Sequence, residues 1–213
     1  MTNSHVAAAV PGVDGDWYRD VVQFADGTPA SVHVFMAHFT ELGILVLAVL
    51  WALVFWRTRR APDRTMAAAL VGGVGVVVSY GISESTKTFL DAERPCRTFS
   101  DLRIIAHRCP PPGDWSFPSN HATLAGALVA AIVAVSWRLG LLALPIGLLV
   151  AFSRVFVGVH YPHDVAAGFV IGVVVTAVLV TFLTRPATRV IGSMRDRPVL
   201  SRLLGAEPRH VVS

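Results

Sequence analysis

Five long apolar runs, separated by short polar stretches, dominate the pattern of the chain: Phe35 to Trp56, Met66 to Ser83, Ala122 to Trp137, Leu139 to Val159 and Val165 to Thr184. Each approaches the ~20 residues that an α-helix needs to cross the hydrocarbon core of a bilayer. Glu41 and Arg154 are the only formal charges within them. Too little polar sequence remains to coat so much apolar surface in water, so the pattern predicts an all-α fold, a polytopic transmembrane helix bundle with five spans.

Ahead of the first run, Trp17, Val21, Val22 and Phe24 would share one face of a short helix suited to the membrane interface, which Gly27 and Pro29 would end. A sixth helix or a flexible tail are the other readings of this stretch. The expected organisation is an extracytoplasmic or interfacial segment over 1–34, one membrane-embedded domain over 35–184, and a basic cytoplasmic tail over 185–213, poorly ordered at its end. The amino terminus lacks the basic start, apolar stretch and small-residue site of a cleaved signal peptide, so the first span is expected to direct insertion.

The arginines orient this bundle. Arg57, Arg59, Arg60 and Arg64 lie between the first two runs, Arg138 lies in a tight turn, and Arg185, Arg189, Arg195, Arg197 and Arg202 follow the fifth. Five spans put all of them on one side, and basic loops stay in the cytoplasm. The loop from Glu84 to His121 and the connection from Arg154 to Asp164 then face outward, across an inner (cytoplasmic) membrane.

Composition adds little to this picture. The 213 residues are 54% hydrophobic and 15% charged, and the net charge of +4 reflects topology together with attraction to anionic membrane lipids. It gives no support for nucleic acid as a partner. The two cysteines, Cys96 and Cys109, both fall in the outward loop, where an oxidising compartment would permit a disulfide; two free thiols are the alternative.

Ionisable residues at the ends of membrane helices are costly to keep dry, and three clusters of them stand out. The first runs from Lys87 to Arg94 and Pro95, and Lys87 is the only lysine in the chain. A compact ammonium at a chosen position and a snorkelling interfacial lysine both fit it. The second, Phe117-Pro118-Ser119-Asn120-His121, precedes the third run, where free backbone N–H groups favour an anion. An ordinary N-cap by Ser119 or Asn120 reads the same way.

The third runs from Ser153 and Arg154 to His160, Pro162, His163 and Asp164. Pro162 suits the first turn of a helix, so Asp164, four residues after His160, can bond one nitrogen of its ring. An imidazole oriented in that way, with its other nitrogen free, is a nucleophile. Lys87, Arg94 and Arg154 would supply charge for phosphoryl oxygens, Ser119 and the Asn120 N–H neutral donors, and His121 a general acid. His163 takes no role in this reading.

These residues resemble the signatures of the type 2 phosphatidic acid phosphatase superfamily: Lys-x6-Arg-Pro at Lys87 to Pro95, Pro-Ser-Gly-His at Pro118 to His121, and Ser-Arg-x5-His-x3-Asp at Ser153 to Asp164. One departure is Asn120 in place of the usual glycine, expected to narrow the site or to add a hydrogen bond. The resemblance implies that His160 is the nucleophile, Asp164 its orienting carboxylate and His121 the general acid. It puts Lys87, Arg94, Ser119, Asn120 and Arg154 around the phosphate and implies neither metal nor cofactor. It also implies a six-helix bundle, one helix more than the apolar runs provide.

The expected partners are membrane lipids and a lipid phosphate substrate. An undecaprenyl or other polyprenyl pyrophosphate is the first choice, by likeness to small bacterial members that recycle the cell-wall lipid carrier. Phosphatidic acid, phosphatidylglycerol phosphate and polyprenyl-phosphoryl sugar phosphates are alternatives. A non-catalytic lipid binder or transporter would be expected to lose His121, His160 or Asp164, and all three are present. A haem or metal protein using His33, His38, His107, His121 or His160 ranks last, since no pair has ligand spacing within a helix.

Overall fold

The structure, a computed structural model, describes residues 12–197. Its regular elements are all helices: α1 (Gly12–Asp26), α2 (Ala30–Thr58), α3 (Asp63–Leu90), the single turn α4 (Pro95–Thr98), α5 (Asn120–Val135), α6 (Trp137–Phe156) and α7 (Pro162–Arg195). The starts are set by familiar local chemistry. Pro29 and Pro62 precede α2 and α3, the Ser119 hydroxyl oxygen accepts from the Ala122 N–H to cap α5, and Pro162 occupies the first turn of α7.

Four helices, α2, α3, α6 and α7, are long and apolar enough to cross a membrane. The fifth apolar helix, α5, has 16 residues, about 24 Å at the usual rise. It compensates by position, because its buried residues run from Ala122 to Ile132 on nearly every side and it packs against α2, α3, α6 and α7. Small residues allow the close approach: a side chain at Gly126 would meet the Phe169 carbonyl, one at Gly172 the Thr123 carbonyl, and one at Gly72 the Ala131 methyl. The chain is an integral membrane protein whose core is the α3–α5–α7 seam.

Alternation along the chain brings the starts of α2, α5 and α7 and the ends of α3 and α6 to one end of the bundle. The α2–α3 and α5–α6 turns lie at the other, with the end of α7. Several helices outrun their apolar runs. The polar last turns of α3 are helical too, and there Ser85, Thr86 and Thr88 satisfy their hydroxyls on carbonyls of the preceding turn. The last helix continues past Thr184 to Arg195, whose guanidinium donates to Asp63 (2.7 Å) and to the Ala61 carbonyl (2.9 Å), so residues 185–195 are helix docked on the α2–α3 turn. Arg202, the rest of the expected tail and residues 1–11 lie outside the described residues.

Helix α1 lies across the end of the bundle formed by α6 and α7 and ends just before Gly27, as the sequence predicts. Trp17 and Phe24, on the side predicted for the membrane interface, are 61% and 66% exposed, whereas Tyr18, Val22 and Ala25 point inward. The reason is the Tyr18 hydroxyl, which finds a buried acceptor in the Gly158 carbonyl at 2.9 Å and draws that face down. With four acidic side chains and an arginine along 15 residues, α1 lies on the bundle and does not span it.

Candidate active site

The site begins at the turn between α6 and α7. Gly158 turns the chain at φ +87°, where a side chain would also strike Ile104. His160 follows, then Tyr161 as the residue capping α7. At the third helical position Asp164 reaches back, its Oδ2 accepting the Tyr161 N–H at 2.8 Å. The same oxygen accepts from the Ser116 hydroxyl and faces His160 Nδ1 at 3.4 Å.

On the other side of the ring, Arg94 Nη1 lies 3.1 Å from His160 Nε2. A guanidinium can only donate, so Nε2 must present its lone pair and Nδ1 carries the hydrogen that faces Asp164. His160 is 2% exposed. Burial pushes its imidazole down to about 3 against the pull of Asp164, and Arg94 reinforces the shift. The result is a neutral, oriented ring with Nε2 turned toward a cation.

Two cations meet beside it. Lys87, in the last turn of α3, and Arg94, at the start of α4, are both buried, and both reach Asp114 Oδ1, at 3.2 and 2.8 Å. Arg94 is held further by the Asp114 and Val159 carbonyls. Partial burial would raise the Asp114 carboxyl, but Arg94 and then Lys87 outweigh it and hold the group below the usual range. Two buried cations converging on one carboxylate oxygen make a seat for an anion. The loop carrying Asp114 is tied back by a disulfide between Cys96 and Cys109, with Cα atoms 5.9 Å apart, and by a bond from Arg97 to the Pro110 carbonyl.

A second group stands across the same end of the bundle. His121, in the first turn of α5, places Nε2 2.8 Å from Glu41 Oε1 on α2. Arg154 donates to Thr40 at 2.9 Å and lies 3.9 Å from Glu41. His121 and Arg154 are thus joined through α2, and neither bonds His160 directly. Ser119 is fully buried as the cap of α5, and its N–H donates to the Asp164 carbonyl at 3.1 Å, fastening the starts of α5 and α7 together. The Asn120 side chain turns to α3, accepting from Ser83 at 2.7 Å and donating to Glu84 at 2.5 Å.

Sequence reasoning passed over Asp114 and Ser116, which lie in an irregular loop without a spacing that would mark them. It noted Glu41 only as a charge within a span, although a carboxylate there is itself a signal. Among the described residues, no three His, Cys, Asp or Glu side chains are grouped to hold a metal ion.

Residues 66–187 match the family model described as the PAP2 superfamily. The chain belongs to the PAP2 superfamily. It is similar, at 36% identity over 68% of its length and 75% of the relative's, to a decaprenylphosphoryl-5-phosphoribose phosphatase of Mycobacterium tuberculosis. An undecaprenyl-diphosphatase of Bacillus subtilis is 30% identical over 71% of this chain and 76% of its own. Among solved structures, a PAP2-type phosphatidylglycerolphosphate phosphatase from Bacillus subtilis superposes with a TM-score of 0.61 at 21% identity, over 85% of this chain and 89% of that one, a likeness of fold alone. Membership makes this PAP2 protein a hydrolase of phosphate esters.

Proposed function

We propose that this PAP2 protein removes the terminal phosphate of a polyprenyl lipid, converting undecaprenyl or another polyprenyl pyrophosphate to the monophosphate. The observation that carries the reading is the neutral His160 ring, with Nε2 directed at Arg94 and Nδ1 at Asp164. Nε2 attacks phosphorus and the bond to the leaving lipid-phosphate oxygen breaks. Lys87, Arg94, Arg154 and the Asn120 N–H hold the three non-bridging oxygens. His121 gives its proton to the leaving oxygen, and Asp164 stabilises the positive charge on phosphorylated His160. Water, losing a proton to His121, then attacks phosphorus, releasing phosphate and restoring neutral His160.

A lipid substrate fits the surroundings. Val34, Phe35, Leu42 and Leu45 on α2 and Phe89 and Leu90 at the end of α3 are exposed apolar side chains around the polar site, suited to a headgroup at the membrane surface and a tail between helices. The charge asymmetry of the loops supports a site facing outward across the inner membrane. The mycobacterial relative favours a second reading, in which the terminal phosphate is carried by a sugar attached to the polyprenyl phosphate.

The test is phosphate release by the detergent-solubilised protein from undecaprenyl pyrophosphate, a polyprenyl-phosphoryl ribose phosphate, phosphatidic acid and phosphatidylglycerol phosphate, with His160→Ala as control. Selective release from the first is expected, and no release with the variant. Preference for the second lipid would move the protein to the sugar-phosphate reading. Release from the glycerolipids alone, or full activity in His160→Ala, would overturn the proposal.

A further inference from the structure

His163 has no part in the chemistry above, yet it touches the carboxylate on which that chemistry depends. Its Nε2 stands 3.1 Å from Asp164 Oδ1, a buried oxygen that has no other partner. On its far side, Nδ1 lies 2.6 Å from Asp14 Oδ2, and its backbone N–H donates to Asp14 Oδ1 at 3.2 Å. The ring is stacked between Phe117 and Tyr161, at centroid distances of 5.5 and 5.6 Å. Asp14 belongs to α1, and the same helix grips the other end of the nucleophile's turn through Tyr18 and the Gly158 carbonyl.

We propose that His163 is a positioning residue for the phosphatase reaction, held by α1 through Asp14 so that it fixes the rotation of Asp164 behind His160. The inference rests on the reading of His160 as nucleophile. An imidazole with each nitrogen facing a carboxylate matches both only when both nitrogens carry hydrogen. In that form it is a cation set against the one Asp164 oxygen that lacks any other donor, while Oδ2 is occupied by Ser116, the Tyr161 N–H and His160. A buried carboxylate with one bare oxygen is costly and free to turn toward any other donor. Turning Asp164 would release Nδ1 of His160 and with it the tautomer that leaves Nε2 free. The amino-terminal helix, outside the family match at 66–187, becomes part of the catalytic apparatus.

The experiment is steady-state kinetics of the full chain in detergent on undecaprenyl pyrophosphate, with His163→Gln, Asp14→Asn and the double variant. Because the phosphate-binding cations are untouched, kcat should fall about tenfold in His163→Gln with KM within twofold, less than the ~10²-fold that a full 1 Å misplacement of a reacting group can cost. Asp14→Asn should lose about threefold in kcat. The double variant should be no slower than His163→Gln, since Asp14 acts only through His163. An unchanged kcat in folded His163→Gln, a rise in KM alone, or losses that multiply in the double variant would overturn the inference. If His163→Gln does not fold, Asp14→Asn carries the test: the kcat loss supports it, and wild-type kinetics overturn it. Wild-type protein inactive on every lipid would remove the functional reading and this inference together. An active wild type with unaffected variants removes this inference alone.

Discussion

At the scale of single residues, the unusual state of His160 has a consequence for stability that needs no substrate. The folded protein keeps its ring neutral down to about 3, whereas the unfolded chain takes up a proton near ~6.5. Between these values the unfolded state binds the extra proton, so this contribution to stability is full above about 6.5 and is lost as pH falls toward 3. The melting temperature in detergent should therefore fall between pH 7 and pH 4, and the fall should be smaller in His160→Gln, which has no proton to gain; equal slopes would contradict this. Asn120 makes a different prediction. Its side chain bonds Ser83 and Glu84 on α3, so Asn120→Gly should keep kcat within about threefold while losing about 1–2 kcal/mol of stability. A tenfold loss of rate with unchanged melting would mean that the side chain acts on the phosphate. The motif residues were legible because each signature is short and contiguous, and the four-residue spacing from His160 to Asp164 needs only one helical turn. Ser116, Asp114 and Glu41 were not, since their partners are 44, 20 and 80 positions away and only the folded chain brings them in.

At the scale of elements, the bundle depends on how closely α5 can lie between α3 and α7. A side chain at Gly172 would meet the Thr123 carbonyl and the Ala127 N–H, backbone atoms that cannot move aside, whereas one at Gly81 on α3 would meet nothing within 4 Å. Gly172→Val should force α5 and α7 apart and cost about 3 kcal/mol, the upper end for overpacking, seen as loss of the monodisperse peak in size-exclusion chromatography. Gly81→Ala should leave that peak intact and raise stability by up to about 1 kcal/mol, the helical preference for alanine. If both variants behave alike, the seam is looser than these distances imply. Apolar runs marked all five of these helices, because a span must be apolar along its length. They underestimated the ends of α3 and α7, where hydroxyls find acceptors on their own helix and the Arg195–Asp63 pair docks the last turns of α7, interactions that hydrophobic patterning does not register. The inward face of α1 went unread for a related reason: apolar character singled out Trp17 and Phe24 for the membrane interface, while a buried acceptor for one hydroxyl turns Tyr18 inward.

At the scale of the molecule, the extension of α7 sharpens the argument for orientation. It carries Arg185, Arg189 and Arg195 as helix to the same end as Arg57, Arg59, Arg60 and Arg64, with Arg195 bonded to the Arg59 and Ala61 carbonyls of the α2–α3 turn. The end bearing His160, His121 and Lys87 is the opposite one, and its loop is closed by the disulfide. The rule that basic ends stay in the cytoplasm and the preference of disulfides for oxidising compartments both support the proposed orientation. Two exposed positions separate the alternatives, Ser100 at the site end and Arg60 in the α2–α3 turn. With both native cysteines engaged in the disulfide, a cysteine introduced at either position is the one thiol open to labelling. Ser100→Cys should react with a membrane-impermeant maleimide in cells whose inner membrane is intact, and Arg60→Cys only after that membrane is opened. The reverse pattern would invert the protein and move its phosphatase chemistry to the cytoplasmic leaflet; labelling of both before opening would mean that the five helices do not separate the two ends across a bilayer.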